Sequence, residues 1–196
     1  MIIWKTGDIF TTECSTIVNT VNCEGVMGKG IALECKKRYP FMFNVYQHAC
    51  AYGSKGSKEH PILKEGGDLY FYWNSKAKID NDWLPFQDAL EKIHPGIGQA
   101  YDTHHILNFA TKVFWRNPSK LEWIEQGLYN FCVKDYEDNG KKFKYYNLGP
   151  NTWTEAMSTI AWPKLGCSNG GLKWEDVKPL MIKYLDPLPI KCEIYE

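Results

Sequence analysis

The sequence predicts an α/β fold built on a mixed β-sheet covered by helices. Three observations carry this. Short β-branched runs bounded by turn residues alternate along the chain with stretches whose apolar residues recur every three or four positions. The length, 196 residues with 44% apolar and 15% aromatic side chains, suits one domain that buries roughly 70% of its unfolded surface in a single core without staples. Two glycine-rich loops stand where strands give way to helices.

In chain order, Ile2-Ile3-Trp4 and Ser15 to Asn22 read as strands, each bounded by polar breakers. Asn22 to Gly30 is then a strand-to-helix loop. Ile31 to Arg38 is helix-compatible, stops at Pro40 and resumes from Met42 to Ala51. Gly53 to Gly67 is a surface connection, and Asp68 to Trp73 is a buried strand. Trp83, Leu84, Phe86, Leu90 and Ile93 space as a short helix, ended by His94-Pro95-Gly96. His105 to Ala110 is a strand, and Thr111 to Ser119 a loop. Leu121, Ile124, Leu128, Phe131, Cys132 and Tyr136 mark one face of an amphipathic helix. Phe143 to Leu148 and Thr159 to Trp162 read as further strands. Trp174, Val177, Leu180, Met181, Tyr184 and Leu185 define a last helix before Pro187, and Lys191 to Tyr195 a last strand. No internal repeat is present.

Twenty-three basic and 23 acidic residues give no net charge, which excludes a broad cationic surface for nucleic acid and leaves room only for a local basic cleft. Seven cysteines, odd in number and scattered, fit reduced thiols in a cytoplasmic protein. No CxxC pair or histidine spacing suggests a metal site, so no metal is expected. No run approaches membrane-spanning length, and no membrane partner is expected.

The loops Glu24 to Gly30 and Leu165 to Leu172 lie where an open α/β sheet receives ligands, outside the carboxyl ends of its strands. Backbone amides and a helix N-terminus favour anions there, so the pair suggests a diphosphate clamp, although ordinary turns have the same composition. Two nucleotide fingerprints fail. Cys23 and Gly30 occupy the first-glycine and Ser/Thr positions of a P-loop, and Leu33 stands where a dinucleotide fingerprint needs its third glycine.

Five segments in order then resemble the macrodomain family: Thr6-Gly7-Asp8-Ile9; Val18 to Asn22; Gly25 to Ala32; Asn108-Phe109-x-Thr111-Lys112-x-x-Trp115-Arg116; and Leu165 to Leu172 followed by Trp174. Within the family they are most similar to the DarG antitoxin branch, which removes ADP-ribose from DNA modified by a partner ADP-ribosyltransferase toxin. The resemblance runs from residue 5 to 180. It implies a three-layer α/β/α fold, a single macrodomain over residues 1–196, and insertions at 74–104 and 137–158.

The resemblance also implies roles. Asp8, with Ile9, matches the aspartate that accepts from the adenine amino group; as a loop-end carboxylate it equally serves as a cap. Asn19 and Asn22 match the strand end near the distal ribose, with Asn22 nearer the glycine loop and favoured for the ribose and catalysis. Gly28, Lys29, Gly30 and Ile31 match the first phosphate loop, and Gly166, Cys167, Ser168, Asn169, Gly170 and Gly171 the second. Thr111, Lys112, Trp115 and Arg116 match the branch's TKxxWR motif, with Lys112 the catalytic residue. As a neutral amine it attacks the anomeric carbon of the distal ribose; as a cation it stabilises charge on the leaving group. The sequence fits both. Cys167 lacks a neighbouring histidine to make it a nucleophile, and Trp115 offers a face for stacking.

The departures bear on substrate. A related branch, acting on ADP-ribosylated glutamate, carries a catalytic aspartate where this chain aligns Gly170, which favours a DNA base, thymidine, over protein. Ala110 replaces a proline, and Val113-Phe114 a basic pair, so fewer cations face a phosphate backbone. The reading is an ADP-ribosyl glycohydrolase that needs no cofactor and acts on ADP-ribosylated DNA, preferentially single-stranded. Two alternatives use the same clamp: a noncatalytic ADP-ribose reader, and a phosphatase acting on ADP-ribose 1''-phosphate.

Overall fold

A computed structural model describes residues 1–54, 63–72, 104–132, 134–138, 141–145 and 158–196. Its main sheet has the order β1-β8-β7-β2-β4-β3, formed by Ile2–Lys5 (β1), Lys191–Tyr195 (β8), Thr159–Pro163 (β7), Thr16–Val21 (β2), His105–Ala110 (β4) and Leu69–Tyr72 (β3). The first five run parallel to their neighbours. β3 joins the edge antiparallel to β4, so the sheet is mixed only there.

Parallel strands are buried on both faces, and β2 and β4 are: Ile17 and Val18, like Ile106 and Leu107, are almost wholly covered. Successive side chains point to opposite faces. Val18, Leu107 and Phe109 therefore pack with Ile124, Leu128 and Phe131 of α3 (Leu121–Cys132) and Val177, Met181 and Leu185 of α4 (Trp174–Leu185). Ile17, Val21 and Ala110 pack on the other side with Cys35 of α1 (Gly30–Arg38) and Met42 and Tyr46 of α2 (Pro40–Ser54). The result is three layers, helices on both faces of one sheet. Pro40 starts α2 rather than merely ending α1, because the first turn of a helix needs no amide hydrogen from proline.

One expected helix ends early. Spacing alone extends α3 to Tyr136, but Lys134–Asp138 (β5) pairs antiparallel with Lys141–Tyr145 (β6), Tyr136 facing Phe143 in register. A four-residue interval suits either period, and the pairing claims the segment for a hairpin. The strand expected from Phe143 accordingly belongs to this separate two-stranded sheet rather than to the main one. The helix expected around residues 83–93, Trp73, residues 74–103 of the insertion expected at 74–104 and residues 139–140 and 146–157 of the one expected at 137–158 lie outside the described residues.

β8 also carries a buried charge. Glu193, 3% exposed, accepts from Thr12 Oγ1 at 2.9 Å and Tyr195 Oη at 3.2 Å, and pairs with Lys191 at 2.7 Å and Lys5 at 3.8 Å. Burial pushes its pKa up, but Lys191, Thr12 and Lys5 outweigh that and hold it at about 2, against an ordinary 4.5. A carboxyl depressed on folding contributes stability that is present above its unfolded pKa and lost as pH falls through the folded one. Glu193→Gln is therefore expected to be less stable than the parent at neutral pH, with the gap closing between about pH 4.5 and about pH 2. Urea unfolding of both proteins across that range checks it; a pH-independent gap would refute it.

Candidate functional site

All five parallel strands end on one side of the sheet, and the segments that follow them enclose a cleft of about 1320 Å³. Gly7, Asp8 and Ile9 follow β1; Asn22, Gly28, Lys29, Gly30 and Ile31 follow β2; Thr111, Lys112, Trp115 and Arg116 follow β4. Gly166, Cys167, Ser168, Asn169 and Gly170 follow β7, and Glu196 follows β8. Carboxyl ends of parallel strands are where open α/β sheets hold ligands.

The loops are laced together. Cys23 N–H donates to Val113 O at 2.9 Å, and Trp115 N–H to Glu24 Oε2 at 2.7 Å, tying the β4 loop to the β2 loop. Ser119 N–H donates to Gly170 O at 2.8 Å, tying it to the β7 loop. Gly30 opens α1 in the left-handed region (φ +57°), where a Cβ would stand 3.0 Å from Asn169 Nδ2. Only glycine suits that turn without strain and leaves the two glycine loops this close.

Lys112 lies where these loops meet. It is buried, and its Nζ donates to the Asn169 carbonyl across the cleft at 2.8 Å. Burial lowers its pKa from the usual 10.5, because desolvation penalises the ammonium. Cys167 lines the cleft as a neutral thiol: burial pushes its pKa up to about 11, and its Sγ donates to Leu165 O.

Asn22 lines the cleft, but its amide is largely spent on the loop. The oxygen accepts from Glu24 N–H at 2.9 Å, Val26 N–H at 3.3 Å and Tyr46 Oη at 3.1 Å, while Nδ2 donates to Val26 O at 2.6 Å. One amide hydrogen remains to face a ligand. Asp8 caps the 3₁₀ turn Ile9–Thr11 through Oδ1, which accepts from Phe10 N–H at 3.0 Å. Its other oxygen faces Arg38 at 4.0 Å.

Two expected ligand contacts lie elsewhere. Asn19 is wholly buried beneath the cleft floor, donating to Asn108 Oδ1 at 2.9 Å, and does not line the cleft. Its place between Ile17 and Val21, on the same face of a strand buried on both sides, is the signal that marks it as interior. Gly171 also stays off the cleft wall, its N–H donating to Ser168 O at 3.2 Å. Conversely, sequence reasoning misses Phe10, Arg38 and Tyr195, all of which line the cleft. Arg38 stacks over the Phe10 ring at 4.4 Å, a pairing across 28 positions that no local pattern announces. Among the described residues, no group of three or more potential ligands could hold a metal, and no helix is long and apolar enough to cross a membrane.

No protein-family model matches the chain. The solved macrodomain of Mycobacterium tuberculosis DarG matches all of this chain and 97% of its own, at 31% identity and a TM-score of 0.68. The chain belongs to the macrodomain family, in its DarG branch. A curated M. tuberculosis protein named DNA ADP-ribosyl glycohydrolase is 35% identical to this macrodomain over 189 residues, 96% of this chain and 40% of its own length. In Thermosipho africanus, a DNA ADP-ribosyl transferase-DNA ADP-ribosyl glycohydrolase fusion protein is 34% identical over 189 residues, again 96% and 40%. A solved structure of T. africanus DarTG in complex with ADP-ribose has a TM-score of 0.65 at 30% identity, covering 99% of this chain and 41% of its own. The macrodomain thus spans about two fifths of the length of the curated relatives it matches.

Proposed function

We propose that this macrodomain is an ADP-ribosyl glycohydrolase that removes ADP-ribose from a modified DNA base, thymidine in single-stranded DNA, with Lys112 as its catalytic residue. Its partner is the cognate transferase toxin that installs the modification, it acts in the cytoplasm, and residues 1–196 form one macrodomain. The names of the curated relatives support the activity class, and the ADP-ribose of the T. africanus complex supports the ligand.

The observation that carries the mechanism is the buried Lys112 amine at the junction of two glycine loops. The loops hold the diphosphate through backbone N–H groups, and Asp8 at the opposite end of the ligand selects adenine. With both ends of ADP-ribose fixed, the anomeric carbon of the distal ribose is presented to Lys112, so much of the rate comes from positioning. Lys112 in its neutral form attacks that carbon as the bond to the base breaks, the proton of the new secondary ammonium passing to the departing base nitrogen; water then displaces Nζ from the anomeric carbon, releasing ADP-ribose and restoring the lysine. Burial assists by making the neutral amine easier to reach.

The test compares three substrates: ADP-ribosylated thymidine in single-stranded DNA, an ADP-ribosylated glutamate peptide, and ADP-ribose 1''-phosphate. Release of ADP-ribose chiefly from the DNA is expected. Release of inorganic phosphate instead would make the protein a phosphatase. Calorimetric binding of ADP-ribose with no release from any substrate would make it a reader.

A further inference from the structure

The β4 loop exposes an aromatic pair that the cleft alone does not require. Phe114 is 52% and Trp115 44% exposed, ahead of Tyr129 and Trp4 among the exposed aromatic side chains of the described residues. A single exposed hydrophobe is unremarkable, but here two consecutive rings sit on a braced segment. The bonds of Val113 O to Cys23 and of Trp115 N–H to Glu24 fix both sides of Phe114, and Asn117 N–H closes a turn onto Phe114 O at 3.1 Å. The Arg116 guanidinium lies over the Trp115 ring at 4.2 Å. Lys112, Trp115 and Arg116 line the cleft, whereas Phe114 stands outside it. On the reading above, in which the distal ribose sits at Lys112, the ledge lies beside the point where the attached base would leave the cleft.

We propose that Phe114, continuing the wall begun by Trp115, is a stacking platform for the nucleobase next to the modified one in a single strand. Arg116 faces the intervening phosphate. The inference rests on the DNA-directed reading above and names how that substrate is held. Charge and shape select the occupant: a cation beside two rings matches the alternation of phosphate and base in an unpaired strand, whose bases alone expose their faces. A chain with equal numbers of acidic and basic residues lacks the cationic excess for a long phosphate track. Affinity for the strand then comes from stacking and falls only shallowly with salt.

The experiment measures release from ADP-ribosylated thymidine mononucleotide and from the same nucleotide within a single-stranded oligonucleotide, at two salt concentrations. Phe114→Ala is expected to raise KM for the oligonucleotide by roughly tenfold, within the range for loss of one base–aromatic contact. It should leave the mononucleotide unchanged, and Phe114→Trp should restore oligonucleotide binding. An equal loss on both substrates would show a structural role, no loss on the oligonucleotide would remove the platform, and an equal loss on an ADP-ribosylated peptide would reassign the ledge to protein. Each overturns the proposal. If the parent protein releases nothing from either DNA substrate, the DNA-directed reading falls as well, whereas parental activity with an unaffected Phe114→Ala removes the platform alone.

Discussion

Lys112→Ala is expected to slow ADP-ribose release on the order of a thousandfold while keeping ADP-ribose binding within a few-fold of the parent, a typical loss for one group acting directly in the transition state. Binding survives because Lys112 makes its hydrogen bond to a single loop carbonyl, Asn169 O, while the glycine loops themselves are held by other bonds, among them Ser119 to Gly170 and Leu172 to Gly166. The pH profile separates the two roles open to the amine. Burial lowers its pKa from 10.5. A nucleophile must be neutral, so release would rise with pH and level off once pH passes the lowered pKa. An ammonium that only stabilises charge would give the opposite limb, with release falling as pH rises through it. Lys112→Arg sharpens the choice: it preserves charge and removes the attacking amine, so it is expected to be as inactive as the alanine variant. Single-turnover release assays and calorimetry measure both quantities. Parental activity in Lys112→Ala would take the residue out of the reaction.

The parts of this machine that are legible in the sequence are those written locally. His105 to Ala110 is read correctly as a strand because Ile106, Leu107, Phe109 and Ala110 make a short apolar stretch bounded by polar residues, and α4 because Val177, Met181 and Leu185 share a face. Lys112 and both glycine loops are legible through ordered motifs, and the sheet brings them to one cleft because the strands before them are parallel neighbours. What stays hidden depends on contacts distant in sequence. Phe10 and Arg38 meet only once α1 packs on the sheet. Nothing local shows that Tyr46, on α2, turns Asn22 into a brace by donating to both its carbonyl and its side chain. Tyr136 obeys the helical interval of α3 yet pairs in β5, since propensity yields to an available partner strand.

At Gly170, in the cleft wall, a single added methyl group is expected to do marked damage. A Cβ there would overlap the Gly166 carbonyl oxygen and Ser119 Oγ. The carbonyl cannot retreat without cost, since Gly166 O accepts from Leu172 N–H at 3.0 Å, and Ser119 N–H ties that residue's backbone to the Gly170 carbonyl. Gly170→Ala is expected to lower stability by about 2–3 kcal/mol, in the range of overpacking a tight site, and the melting temperature by roughly 4–10 °C for a chain of this size. ADP-ribose affinity should fall at least tenfold, because the displaced loop would no longer present its amides to a phosphate. Gly28→Ala is the stability control, since a Cβ there meets only Val26 Cγ1 at 4.0 Å. The same crowding bears on chemistry: the position aligned with the catalytic aspartate of the glutamate-directed branch has no room for any side chain, so Gly170→Asp should collapse the loop rather than supply the missing acid. Thermal melts and calorimetry on the three variants decide it. A Gly170→Asp protein that melts with the parent and releases ADP-ribose from a glutamate peptide would show that the loop can open, and would remove the steric reason for the absence of that carboxylate.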